Sequence, residues 1–519
     1  MGDNRMSGDD HLWSDSGYVV EIPYTKQYIR HQSPIALSFA AAANGFTPPD
    51  PRAPFSYCDL GCAEAVTLLS LAAAYPQSRF VGVDLNPDHI KNARDLAQRA
   101  RLDNLSFFVG TFAQFADSTP ERFDYIAAHG VYSWVSPAVV ETLHQVVEQT
   151  LKEGGLFYFC HYVRPKGTRT EFLFHLLQTL MAQMSGPLAG RIRAAVSEAQ
   201  VLAQGGGPLA QDHPYLQDDL NGLANRDTRY LVHEFCNKYF RPNFFREVAQ
   251  DLRDIGLGYV GSARAERNNP LNLYPMDDFS AWDGLPFVAK EERASLLGDD
   301  EFRWDVFQKG ATEPSVQSTA LNGYKLDSAK FPYGYPKEAT LWSRTVSFDT
   351  PVFKTLLEGG HAGTKGIGDL VNGNADPKQA RDTVLDMVAS GMFQPLIQAA
   401  RSPIGRGSVS YGFSHALSKQ LFERDFYTEG SCSFSSEIMG SALVFSGFNA
   451  LATYAMDTND VDTALAWTRT KLRAMTAQER RNIGVKFKMT DDAFVERETN
   501  FKRAVLPRLL KYEILTPIG

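Results

Sequence analysis

Between Phe55 and Val163 short apolar runs alternate with helical segments, and this alternation restricts the fold more than any other feature of the chain. Phe55–Asp59, Phe80–Asp84, Leu105–Val109, Phe123–Ala128 and Leu156–Val163 read as strands. Glu64–Tyr75, Pro87–Arg101 and Ser136–Leu151 read as helices between them, with Pro87 suited to a first turn and Ser136 to an N-cap. Strands that are apolar throughout, joined by helices, predict a parallel sheet covered on both faces. The expected fold is an α/β, doubly wound, Rossmann-like domain.

A chain of 519 residues exceeds one core, so further domains are expected. Residues 1–35 read as a lead-in, 36–167 as the Rossmann-like unit, and 168–230 as a helical insertion in which Phe172, Leu176, Leu180 and Met184 recur every four residues. A helix over 244–255 and a strand over 258–263 complete the sheet within 231–267, and Asn268-Asn269-Pro270 marks a linker. Residues 268–400 form a regulatory or middle domain whose end, near 366–397, has a winged-helix-like order; 401–519 form a mostly helical C-terminal domain. The stripe on the insertion needs a partner surface, either in the same chain or in a second copy, as a homodimer.

The turn after the first strand, Asp59-Leu60-Gly61-Cys62-Ala63-Glu64-Ala65, carries the chemistry. Gly61, Cys62 and Ala63 allow a sharp turn and close approach of a ligand to the backbone. Asp59 can face the ammonium group of an amino acid moiety. Asp84, at the end of the second strand, can accept hydrogen bonds from both hydroxyls of a ribose, with Leu85 beside it. Gly110, Thr111 and Phe112 end the third strand, where Thr111 can bond an adenine edge and Phe112 cover its face. A dinucleotide site normally shows G-x-G-x-x-G to hold a pyrophosphate. A carboxylate ahead of the turn suits a cationic methionine moiety better, so the expected cofactor is S-adenosylmethionine (SAM).

Composition narrows the setting. The formal charge of −8 argues against nucleic acid as the main partner. The five cysteines are odd in number and lack a C-x-x-C pair, which excludes a disulfide framework and a zinc site; His233-Glu234 lacks a third ligand, so no metal is expected. No apolar run approaches the ~20 residues of a membrane span, and the polar, acidic start through Trp13 is no secretory signal, so a cytoplasmic protein is expected.

Asp59–Ala65, Val81–Leu85 and Phe123-Asp-Tyr-Ile-Ala-Ala-His-Gly-Val-Tyr-Ser-Trp-Val135 resemble class I SAM-dependent methyltransferases, in particular bacterial ones that carry a methyltransferase regulatory domain. That group includes lysine methyltransferases acting on outer-membrane proteins. Tyr230-Leu-Val-His-Glu234 and Phe302–Gly310 extend the likeness. The resemblance implies transfer of a methyl group to a nitrogen, with a protein lysine as acceptor; a small-molecule N- or O-methyltransferase is the alternative, and a SAM-sensing regulator a more distant one. His129-Gly130-Val131-Tyr132 would form the loop that holds the acceptor. Tyr132 and Trp134 are either an aromatic wall for cations or core aromatics. His129 is either a base or a cofactor contact. The lead-in, with Tyr18, Tyr24, Tyr28 and His31, resembles a lid, in which Tyr24 is the preferred contact; the alternative is a helix packed on the sheet edge.

Overall fold

The structure is a computed structural model. It describes residues 13–518 except 15–16, 21, 209–210, 212, 270–279, 283, 299, 316–317, 329–336, 342–343, 352, 355–365, 373–376 and 401–408. The acidic start before Trp13 and Pro270 of the expected linker lie outside the described residues.

The Rossmann-like unit begins with helix α1 (Pro34–Ala43), alanine-rich and buried along almost its whole length. Strands β1 (Ser56–Leu60), β2 (Arg79–Asp84), β3 (Leu105–Val109), β4 (Phe123–Ala128) and β5 (Leu151–Tyr162) are all parallel neighbours. Helices α2 (Val66–Ala74), α3 (Pro87–Ala100), α4 (Phe112–Ser118) and α5 (Pro137–Thr150) connect them. Their starts follow the local chemistry. Asn86 accepts from the Asp88 and His89 amides ahead of α3, Thr111 and Gln114 form a reciprocal capping box on α4, and Ser136 accepts from the Val139 amide on α5. One face of the sheet packs Tyr57, Tyr125 and Tyr158 against α1 and α2; the other packs Cys58, Ile126 and Phe157 against α4 and α5.

Two further strands complete the sheet in the order β3-β2-β1-β4-β5-β7-β6. β6 (Leu257–Ser262) falls where a sixth strand was expected, whereas β7 (Phe302–Lys309) runs antiparallel between β5 and β6. The sheet therefore extends beyond the expected boundary at 267. A late strand inserted antiparallel between two earlier ones cannot be read from chain order alone.

The insertion comprises α6 (Gly167–Met181), α7 (Leu188–Gln204) and the shorter helices Leu216–Ala224 and Thr228–Phe235. On α6 the fully packed positions are Leu173, Phe174, Leu177 and Met181, while Phe172, Leu176 and Leu180 flank them half-buried, as does Met184 just beyond. The stripe that faces the core is thus one residue out of phase with the expected one. Further along, strand Phe393–Leu396 pairs antiparallel with Lys325–Ser328 after helices Ile367–Asn372 and Pro377–Ala389. The helix–helix–strand order near 366–397 is present, and its strand partner comes from upstream.

The C-terminal region is substantially helical and contains two antiparallel pairs, Ser431–Ser436 with Ser441–Ser446 and Ser410–Phe413 with Leu515–Ile518. It shares one core with α2 and α3: Leu421, Phe434 and Leu451 join the cluster that holds Leu69 and Leu96. Among the described residues no helix is long and apolar enough to cross a membrane.

Candidate active site

The carboxyl ends of β1, β2, β4 and β5 open on one edge, which is where ligands bind in sheets of this topology. After β1 the chain turns through three left-handed residues, Gly61 (φ +84°), Ala63 (φ +48°) and Ala65 (φ +57°). For alanine this conformation costs roughly 1–2 kcal/mol per residue, so the turn is held at the expense of stability. A Cβ on Gly61 would lie 2.8 Å from Val131 Cγ2.

Asp59 is 4% exposed at the end of β1, and among the described residues no donor reaches its carboxylate. Burial, followed by repulsion from Asp84, pushes its pKa up to about 7. Asp84 is half committed: Oδ2 accepts from the Ala63 amide at 2.8 Å and Oδ1 from the Asn86 amide at 2.8 Å. One carboxylate thereby ties the turn to β2 while keeping lone pairs for a ligand. Leu85 beside it is 39% exposed. At the end of β3, Thr111 spends its side chain on the α4 cap, accepting from the Gln114 amide and donating to Gln114 Oε1. The expected adenine contact of the Thr111 side chain thus competes with the cap. Gly110 precedes it, and Phe112, the first residue of α4, is half-buried on the sheet.

Beyond β4, Gly130 (φ +70°) donates its amide to Cys160 Sγ at 3.1 Å, and a Cβ there would meet nothing within 4 Å. His129 shares a 2.8 Å hydrogen bond with the Tyr158 hydroxyl, and burial pushes its pKa down to about 4. It is therefore neutral near pH 7 and a weaker base than a free imidazole. Tyr132 is a core residue: 1% exposed, its ring 4.8 Å from Phe159 and its hydroxyl 3.2 Å from His144 Nε2 on α5. Trp134 is buried among Tyr162, Phe240 and Phe302. Of the two readings of these rings, the core packing describes where they sit.

The lead-in forms neither helix nor strand between Pro23 and Ile29. It is fastened over the edge by Lys26 to Glu64 (2.9 Å), the Ile29 amide to Thr67 Oγ1 (2.9 Å) and Tyr28 to Ser441 (2.7 Å). Tyr24 is 38% exposed and stands edge-on to His233 at 5.0 Å.

Residues 53–208 match the family model described as a methyltransferase domain, and residues 227–282 the one described as a predicted methyltransferase regulatory domain. The chain carries a methyltransferase domain. The solved structure of PKMT2 from Rickettsia typhi in complex with AdoHcy shares the fold over 95% of this chain and 100% of that one, with a TM-score of 0.71 at 16% identity. An uncharacterized protein of Synechocystis, sll1526, is 28% identical over 57% of this chain and 59% of its own length. The uncharacterized Rickettsia prowazekii protein RP789 is 29% identical over 46% of this chain and 43% of its own. The chain spans about half the length of the curated relatives it matches.

The regulatory match lies mostly ahead of the 268–400 stretch expected to hold such a domain. It contains β6 and the helix Phe245–Asp254 packed on the same sheet, so it is continuous with the methyltransferase domain. It also contains Glu234, which the sequence reading considered only as a metal ligand. Glu234 is buried and accepts a 2.5 Å hydrogen bond from Tyr162. Its signal was present in sequence as an acid among the apolar positions of Tyr230-Leu-Val-His-Glu234. Among the described residues no three His, Cys, Asp or Glu side chains are arranged to hold a metal.

Behind the edge lies a buried charge network. Asp305 of β7 pairs with Arg303 (2.7 Å) and His161 of β5 (2.8 Å); Arg303 also reaches Glu291 (2.7 Å), and Arg267 joins Glu291 and Asp300. The Arg303 guanidinium and the bond from His161 hold Asp305 well below the usual carboxylate range despite its burial.

Proposed function

We propose that this protein is a SAM-dependent methyltransferase that N-methylates lysine side chains of a protein. The observation that carries the proposal is the buried Asp59 carboxylate, unpartnered among the described residues at the end of β1, with Asp84 at the end of the neighbouring strand. An uncompensated carboxylate at 4% exposure fits a cationic ligand and disfavours a pyrophosphate. Asp59 would hold the ammonium of the methionine moiety, Asp84 the ribose hydroxyls, and Leu85 and Phe112 the flanks of the adenine. The left-handed turn over Gly61, Cys62 and Ala63 would bring backbone close to the ligand. Bound SAM supplies an electrophilic methyl group on a sulfonium.

The chain's own part is alignment and exclusion of water. The lead-in, tied down at Lys26 and Tyr28, would cover the edge, with Tyr24 facing the ligand. Gly130 would bring the loop after β4 up to the acceptor, and His129 would contact the cofactor side of that loop. A protein lysine as acceptor is supported by the resemblance of the β4 segment to lysine methyltransferases and by the fold shared with PKMT2. The test is incubation of the full chain with methyl-labelled SAM and host lysate, followed by mass spectrometry. Label on lysine side chains is expected. Label confined to small molecules would replace the lysine reading with a small-molecule methyltransferase, and no transfer despite SAM binding would favour a sensor.

A further inference from the structure

A second buried carboxylate lies beside the carboxyl end of β5, where Tyr162 bonds it. Glu234 closes the helix Thr228–Phe235 and is 5% exposed. Oε1 accepts from the Tyr162 hydroxyl at 2.5 Å, and Oε2 has no partner among the described residues. No cation closes on it: Arg226 acts only at longer range, and Glu301 adds repulsion. Its neighbour His233 does not supply one. His233 Nε2 donates to the Ile22 carbonyl at 2.7 Å, its Nδ1 lies 3.1 Å from the Tyr18 hydroxyl, and burial pushes its pKa down to about 4.

Among the described residues Glu234 has one direct side-chain contact, the Tyr162 hydroxyl, and further phenols feel its charge. Tyr162 of β5, Tyr230 on its own helix, and Tyr18 and Tyr24 of the lead-in all lie within reach of its charge. Cys160 does too, and Cys160 Sγ is the atom that receives the Gly130 amide of the loop after β4. The lead-in, through Tyr18 and Tyr24 on His233 at 5.4 and 5.0 Å, and β5, through the Tyr162 hydroxyl on Glu234, therefore meet at this helix end. A buried carboxylate with an unpartnered oxygen, hydroxyl groups and aromatic rings nearby suits a primary ammonium ion, which needs charge, hydrogen-bond acceptors and aromatic faces.

We propose that Glu234 seats the ε-ammonium group of the acceptor lysine and takes its proton before methyl transfer. The inference rests on the methyltransferase reading above. The proton moves from the ammonium nitrogen to Oε2, turning an ion pair into a neutral amine and a neutral carboxyl. The freed lone pair then forms the N–C bond as the C–S bond breaks, with its electron pair going to sulfur. The methylated amine carries the positive charge away, and the carboxyl returns its proton to solvent. Desolvation makes the first step feasible from both sides, because it lowers the pKa of a lysine and raises that of a carboxyl. Burial has already pushed Glu234 up to about 7.

The test uses the full chain, methyl-labelled SAM and lysate protein as probe, with initial rates measured from pH 6 to pH 9.5. Wild type should gain rate as pH rises through about 7 and then level. Glu234→Gln should lose on the order of 100-fold at pH 7, with the deficit shrinking toward pH 9.5 as free amine accumulates. S-adenosylhomocysteine affinity, measured by calorimetry, should stay within about twofold. Tyr162→Phe removes a donor to the ionised carboxyl, so it should move the acid limb to higher pH without abolishing transfer. Glu234→Gln with a wild-type rate at pH 7, or with an equal loss at every pH, would overturn the proposal. Absence of transfer by wild type itself would instead remove the methyltransferase reading on which it stands.

Discussion

Asp59 and Asp305 are both aspartates with almost no exposure, and they behave in opposite ways. Asp305 is enclosed by Arg303 and His161, and its pKa lies below the usual range. Asp59 has no donor among the described residues, and its pKa is pushed up to about 7. Burial alone raises both; the difference lies in the cations nearby. The first carboxylate belongs to a finished structural network. The second has no such partner, and the proposed ammonium contact would supply one. Charge pairing thus separates the scaffold of this sheet from its working edge.

The contrast can be broken by substitution. The largest expected effect is in the network. Asp305→Ala removes the bidentate partner of the buried Arg303, which keeps Glu291, and the carboxylate partner of His161; it should lower stability by up to roughly 3–5 kcal/mol, read as a drop in the urea midpoint, with no direct effect on cofactor contacts. Asp84 lies between the extremes, because it serves the Ala63 and Asn86 amides and, in the proposed site, a ribose as well. Asp84→Ala should weaken S-adenosylhomocysteine binding by more than about tenfold, given ~1.5–3 kcal/mol per hydrogen bond to a charged group, and should also lower stability. Calorimetry and thermal unfolding on one sample separate the two losses.

Tyr132 sharpens the comparison from the other side. As a core ring bonded to His144, Tyr132→Phe should cost about 1 kcal/mol of stability and leave the methyl-transfer rate unchanged in the labelled-SAM assay. The smallest effect concerns the turn. Ala65→Gly relieves a left-handed alanine at φ +57° but frees the unfolded chain and deletes a buried methyl, so these terms offset and stability should change by less than about 1 kcal/mol, read as a small shift in melting temperature.

Much of this was legible before the fold was known. Apolar runs fixed β1 to β5 within a residue or two at most ends, because buried parallel strands leave little freedom in composition. Asp59 and Asp84 stand out in the sequence because an acid that ends an otherwise apolar strand breaks the buried pattern; that Asp84 also ties down the turn is visible only in the fold. β7 was not, since its place between β5 and β6 depends on tertiary pairing that local pattern does not encode. Tyr132 and Trp134 were ambiguous for a related reason: past a strand end, side-chain direction follows the turn and not strand alternation. Thr111 was legible in principle, because Thr-x-x-Gln at 111–114 is a capping-box pattern. Glu234 is not legible from sequence spacing, because its hydrogen-bond partner Tyr162 comes from β5, 72 residues earlier.

In the proposed site an ionised Asp59 would hold the ammonium end of the cofactor. Calorimetric titration of S-adenosylhomocysteine into wild type and Asp59→Asn at pH 6, 7 and 8 addresses it directly. A ligand cation favours the ionised carboxylate, so wild-type affinity should rise as pH climbs through about 7. The variant should bind roughly 10- to 100-fold more weakly at pH 8 and show little pH dependence over this range. Equal affinity in both proteins at every pH, or no binding to wild type, would contradict the account.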